Sequence, residues 1–188
     1  MAPPQNLQRR QALADGAIAV LARDGVHGLS HRAVDEEAGL PAGTTSNYFR
    51  SRDALLGAAA ERVLELHRAD METAGSIPVG GLVELLTLSL RMSAELYRAR
   101  YLAIYELTLE ATRRPALQRT LDKIHAEAVD FTHAQHRALG LATSRADVDT
   151  LIVLFGGALY ALVTGQATDA EALARTMVSG VLLDQPLE

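Results

Sequence analysis

Cysteine is absent from the 188 residues. That excludes disulfides, Cys-ligated zinc and thiol catalysis, and it suits a reducing cytosol. Aromatic residues make up only 4% of the chain, and β-branched residues are few. A sheet-rich core is therefore not expected. No apolar run reaches the ~20 residues that span a bilayer. The longest uncharged stretch is 150–168; its apolar part, 151–163, is interrupted by Gly156 and Gly157, so a buried interface helix is expected there. The first ten residues are polar and lack the apolar core of a signal peptide, which points to the cytoplasm.

What is present is helix-forming. Hydrophobic residues make up 48% of the chain and charged residues 22%, enough to bury a core. The apolar share is mainly Ala and Leu, both strong helix formers, and the expected fold class is all-α. Net charge is −5, which by itself argues against a nucleic-acid partner. The distribution matters more. Up to Arg68 the chain carries eight basic and eight acidic residues, so the whole deficit lies beyond it. Residues 38–52 contain no acid and two Arg.

Periodicity and caps divide the chain into about nine helices. In residues 6–24, Ala14, Ala17, Ile18 and Leu21 share one face of a 3.6-residue period, and Gly25 ends the helix. Ser30 caps a short helix over 31–38, with Gly39 at its stop. Pro41 sits where a third helix would begin, predicted over 42–49. Ser51 caps a fourth, with Asp53 in its first turn and Leu56, Ala59, Val63 and Leu66 as its buried stripe. The Gly- and Pro-containing stretch 74–81 is the one clear break in composition. Residues 82–92 alternate like a strand, but they are Leu-rich and have no partner strand; a helix is expected. Further helices are expected over 100–114, 115–139, 144–165 and 169–183.

Two short helices joined by a Gly-containing turn and flanked by longer ones have helix-turn-helix proportions. The second must be short and acid-free to enter a major groove. Thr45 and Phe49, four apart, are expected to face inward. Gly43, Thr44 and Asn47 then face outward, with Ser46 and Tyr48 on the flanks. Asn47 can donate to and accept from an adenine edge. Tyr48 and Arg52 are within reach of phosphates. Ser30, His31 and Arg32 open the second helix, whose amides suit a phosphate.

Here the sequence resembles the N-terminal signature of the TetR (tetracycline-repressor) family. The resemblance runs from Gly28 to Leu56, through Gly43-Thr44, Tyr48-Phe49 and Arg52-Asp53-Ala54-Leu55. It implies a ligand-responsive regulator, a repressor that binds palindromic double-stranded DNA as a homodimer and is not an enzyme. It also implies a DNA-binding domain over 1–51 and a ligand-binding and dimerisation domain over 52–188, with 52–73 as the linking helix. Ser46-Asn47 replaces the family's frequent Tyr-His pair, and Arg52 its usual Lys. Asp35 occupies a position the family usually fills with Ala. Near the end of its helix, that carboxylate is expected to oppose the helix dipole.

Tyr97, Tyr101 and Tyr105 recur every four residues. They suit a core edge, a subunit contact or the wall of an apolar pocket. Met92, Leu109, Ile124, His125 and Phe131 are candidates to share such a pocket with a small apolar effector. Small residues at Gly156, Gly157, Ala161 and Gly180 permit close helix approach. The resemblance favours a two-fold interface from the last two helices, with Leu154, Gly157, Ala161, Met177 and Val181 in it. Asp130, His133 and His136 lie at i, i+3 and i+6 with no second ligand-bearing helix, so a solvated or dimer-facing polar strip is expected, and no metal or cofactor. No nucleophile elbow or other catalytic spacing is present. The alternative reading is a helical-bundle small-molecule binder without DNA binding.

Overall fold

The computed structural model describes residues 6–74 and 81–181. Among the described residues there are nine helices and no strand. They are α1 (Leu7–Gly28), α2 (His31–Glu37), α3 (Thr44–Tyr48), α4 (Arg52–Ala74), α5 (Leu82–Glu95), α6 (Arg98–Ala111), α7 (Pro115–Ala138), α8 (Arg145–Val163) and α9 (Ala170–Val181). The all-α expectation holds, including the helix at α5, where the alternating pattern also matched a strand. Most of the predicted break at 74–81, and the end of the last predicted helix, lie outside the described residues.

Local chemistry sets most boundaries. Asn6 caps α1 by accepting from the Arg9 amide at 3.2 Å. Gly25 adopts φ 68° and ψ −176°, which breaks the helical path inside α1 before the chain resumes a last turn to Gly28. Such a φ disfavours any residue with a Cβ. Ser144 and Asp147 form a reciprocal capping box at the start of α8, the arrangement that satisfies two orphan amides at once. Asp169 accepts from the Glu171 and Ala172 amides, both at 3.0 Å, ahead of α9.

One expected boundary is corrected. The third helix begins at Thr44, not at residue 42, and it is five residues long. Gly43 is its N-cap with φ 87°, a left-handed conformation. That turn interposes two residues between Pro41 and the first helical one.

The chain packs as two compact units that do not follow chain order. The first joins the described residues up to Ala69 with Ala99–Ile124; the second joins Asp70–Arg98 with the described residues from His125 onward. In the first unit, Leu13, Ala17, Leu21, Val34, Leu55, Leu56, Val63, Ala103, Leu107 and Leu117 are buried in one cluster. The predicted stripe of α4 lies in it, with Leu66 packed at its edge. Helix α6 and the start of α7 therefore belong to the same core as α1–α4. In the second unit α5 packs on α8 and α9, and α8 packs on α9. Leu86, Leu90, Leu151, Leu159, Ala174 and Val178 are buried there. By length and composition alone, α8 is apolar enough to cross a membrane.

Candidate nucleic-acid interface

A five-residue helix has too few internal hydrogen bonds to sustain itself, so its neighbours must hold α3. Its inner face does part of this: Thr45 and Phe49 are buried, as their spacing predicts. The Arg10 guanidinium lies 4.9 Å from the centre of the Phe49 ring, a favourable cation–π distance.

Helix α2 supplies the rest. The Asp35 side chain is buried and accepts three hydrogen bonds from the start of α3. The Gly43 amide donates to Oδ2 at 2.7 Å. The Thr45 amide and hydroxyl donate to Oδ1 at 2.7 and 2.6 Å. This corrects the expectation that Asp35 disturbs its helix. The carboxylate serves the N-terminus of α3, where a negative charge is favoured. Burial pushes its carboxyl upward, but the Thr45 hydroxyl, the two amides and the charge of His31 outweigh this and hold it below the ordinary carboxylate value.

At the other end of α3, His31 Nε2 lies 2.7 Å from the Phe49 carbonyl oxygen. Ser30 caps α2 by accepting from the Ala33 amide at 3.1 Å, and Ser51 caps α4 by accepting from the Ala54 amide at 3.1 Å.

The outward face of this substructure matches the spacing argument. Gly43, Ser46 and Asn47 are exposed, and Thr44 and Tyr48 are half-buried. The Thr44 hydroxyl donates to the Pro41 carbonyl at 2.5 Å and the Ser46 hydroxyl to the Gly43 carbonyl at 2.9 Å. These bonds return the short side chains to the backbone. No acid lies on this helix, and Arg50 beside it is exposed.

Other predicted residues are engaged elsewhere. Arg52 turns inward: its guanidinium donates to the carbonyls of Val26 and Leu29. Arg32 is exposed and pairs with Glu36 along α2 at 2.8 Å. Glu106 on α6, which sequence reasoning missed, accepts from the Val26 amide at 2.8 Å. The junction between α1 and α2 is thus held at its amide by one helix and at its carbonyls by another. No local pattern signals Glu106, because its partner lies 80 residues away. Nearby, Glu110 is buried and pairs with Arg113 and Arg114, while Arg114 also reaches Asp53 at 2.7 Å. Burial raises the Glu110 carboxyl, but the two guanidinium groups hold it below the ordinary value.

The effector candidates fall into both units. In the first, Tyr101 and Tyr105 are half-buried, Ile124 packs on the core, and Tyr101 meets His67 edge-on at 5.7 Å between ring centres. Leu109 is 67% exposed, so this side chain points to solvent and not into a core. In the second unit Met92, Tyr97 and Phe131 are half-buried. His125 is exposed there and pairs with Asp149 at 2.7 Å across α7 and α8, which accounts for its outward position.

Among the interface candidates, Leu154 and Gly157 are exposed and Ala161 and Val181 half-buried. Met177 is 6% exposed, so it lies in the core of its own unit. Its neighbours Thr176, Ser179 and Gly180 face outward instead.

The expected polar strip on α7 is corrected at one position. Asp130 is exposed and pairs with Arg145, but His136 is fully buried. Its Nδ1 lies 2.9 Å from the Thr143 hydroxyl, and its Nε2 has no protein partner. Burial, then the charge of His133, lowers its pKa below 6.5. Among the described residues, no group of three His, Asp or Glu side chains converges as a metal site.

Comparison with known proteins agrees with this arrangement. Residues 13–59 match the family model for bacterial regulatory proteins of the tetR family. Residues 78–184 match the tetracyclin repressor-like C-terminal domain. No curated protein matches the chain. Among solved structures, a TetR-family member from Streptomyces coelicolor A3 is 29% identical with a TM-score of 0.72, over 93% of this chain and 98% of that one. The multidrug binding protein EbrR complexed with imidazole is 28% identical with a TM-score of 0.72, over 100% of this chain and 96% of that one. EbrR complexed with ethidium is 28% identical with a TM-score of 0.71, over 92% and 98%. With a family model covering more than half of its length and a helix-turn-helix built as described, the chain belongs to the TetR family of bacterial transcriptional regulators.

Proposed function

We propose that the protein is a non-enzymatic, cytoplasmic repressor that binds a palindromic operator as a homodimer and leaves it when a small apolar inducer binds. The observation that carries this reading is α3. Its inner face is locked, and its outer face is polar, acid-free and exposed at Gly43, Ser46 and Asn47. Such a face suits the edges of base pairs. Ser30 and Arg32 at the start of α2, Tyr48 at the end of α3 and Arg50 just beyond it are candidate phosphate contacts.

Homodimerisation is supported by α8. Val153 is 62%, Leu154 41% and Tyr160 46% exposed; Val153, Gly157 and Tyr160, at i, i+4 and i+7, share one helical stripe, with Leu154 on its flank. A contiguous apolar stripe of this kind marks a contact surface. To read a palindrome, two such copies must present their α3 helices to successive major grooves, roughly 34 Å apart.

Effector sensing is supported by EbrR, which binds imidazole and ethidium. An inducer acts only through unequal affinity for the DNA-competent and DNA-released states. Tyr101, Tyr105 and Ile124, half-buried in the first unit, are the effector contacts to substitute first.

The test is footprinting of the DNA upstream of the protein's own gene, with and without ethidium and a panel of apolar compounds. The expected result is protection of an inverted repeat that at least one compound removes. Absence of any protected site, with the compounds still bound, would favour the helical-bundle binder without DNA binding.

A further inference from the structure

Helix α2 holds α3 at both ends through two residues one helical turn apart. Asp35 takes the amides of Gly43 and Thr45 and the Thr45 hydroxyl at the start of α3. His31, four residues earlier on the same helix, meets the Phe49 carbonyl at its end. We infer that Asp35, together with His31, is a positioning device that sets the orientation of α3 and thereby operator specificity, without touching DNA. The inference rests on the operator-binding reading above.

Three observations carry it. First, α3 has five residues and cannot fix its own direction. Second, a buried carboxylate is costly unless its acceptor sites are filled, and here both oxygens are filled by groups at the start of α3. Charge-assisted bonds of this kind are short and directional, so they define an angle as well as a contact. Third, they leave α3 little freedom at its N-terminus. The Gly43 and Thr45 amides go to Asp35 and the Thr44 amide to the Pro41 carbonyl at 3.1 Å. The N-terminus of α3 therefore offers none of these three amides to a phosphate. Its dealings with DNA fall to the side chains of its outer face, whose reach depends on helix orientation.

The consequence separates positioning from simple stability. Phosphate contacts supply sequence-independent affinity, and base contacts supply discrimination. A tilted α3 loses base-edge geometry first, while the basic groups outside it still meet the backbone. Asp35→Asn keeps the shape but removes the charge and presents an NH2 donor in place of one of the two accepting oxygens. Thr45→Val keeps the volume and removes one donor.

The experiment first selects sites from a random-sequence duplex library with the wild-type protein. It then measures the affinity of wild type, Asp35→Asn and Thr45→Val for the selected site and for a scrambled duplex. Amide exchange of Gly43 and Thr45 is followed in the DNA-free proteins. Asp35→Asn is expected to weaken binding to the selected site about tenfold or more, with affinity for the scrambled duplex within about twofold of wild type and faster exchange at both amides. Thr45→Val is expected to show the same pattern at about threefold to tenfold; if Asp35→Asn does not fold, it carries the test alone. Variants that bind the selected site like wild type, or lose affinity for both duplexes in parallel, would overturn the inference. If wild type selects no site, the operator reading has failed instead. The amide exchange then decides separately whether Asp35 holds α3.

Discussion

Helices α3 and α8 meet opposite demands. Helix α3 has five residues, and polar bonds from α2 fix its place, leaving a polar outer face. Helix α8 has nineteen residues and, from Leu151 to its end at Val163, carries no charged side chain on any face. Leu151, Leu159 and Val163 are buried while Val153, Leu154 and Tyr160 are exposed. A polar outer face is at rest in water and can exchange water for base edges. An apolar one is not, and it gains free energy when another apolar surface covers it. The two helices show why exposure alone is a poor guide to function: the chemistry of what is exposed decides the kind of partner.

The largest effect is expected in the core of the unit that carries α3. Leu56 is completely buried in the first unit. Leu56→Ala is expected to cost about 2–5 kcal/mol of stability, read from urea denaturation, and to lower operator binding with it. A loss under about 1 kcal/mol would mean that this core is looser than its burial implies.

A smaller effect sharpens the α8 side. Val153→Glu places a charge in the exposed stripe. It should leave the helical content unchanged and weaken self-association by about 2 kcal/mol or more, roughly 30-fold, if the stripe is the subunit contact. Sedimentation velocity across a concentration series reads this. An unchanged association constant would remove α8 from the interface.

The smallest effect concerns pH. Burial and the charge of His133 keep the native pKa of His136 below 6.5. As pH falls through 6.5, the unfolded chain therefore binds a proton before the native one does. His136 then destabilises the fold progressively until the lower native pKa is reached. The slope from this group is at most about 1.4 kcal/mol per pH unit. His136→Leu should flatten melting temperature against pH between 7 and 5. Identical slopes in variant and wild type would show that another group is responsible.

Much of the local structure was legible because its causes are local. Ser30, Ser51 and Ser144 cap helices by bonding to amides three residues on. Gly25 and Gly39, the expected stops of the first two helices, both have positive φ. The inward placing of Thr45 and Phe49 follows from a spacing of four. Harder to read were groups whose partners lie elsewhere in the chain. Asp35 looked misplaced because its own helix gains nothing from it; its partners are on α3. Arg52 looked ready for phosphate until the carbonyls of Val26 and Leu29 took it. Met177 and Leu109 have similar character in sequence, yet one is buried and the other exposed. Periodicity identifies a helix face but does not say which neighbour, if any, lies against it.

The amino-acid order by itself determined that the chain is helical, where most of its helices begin and stop, and which short segment could serve as a recognition helix. Those outcomes depend on interactions within a few residues: propensity, capping and spacing. Only the tertiary structure decided that α6 joins the core of α1–α4, that Glu106 holds the Val26 amide, and that a buried carboxylate secures α3. Each requires groups far apart in sequence to meet at hydrogen-bond or van der Waals distance. The burial and charge balance that results exists only after the helices have packed.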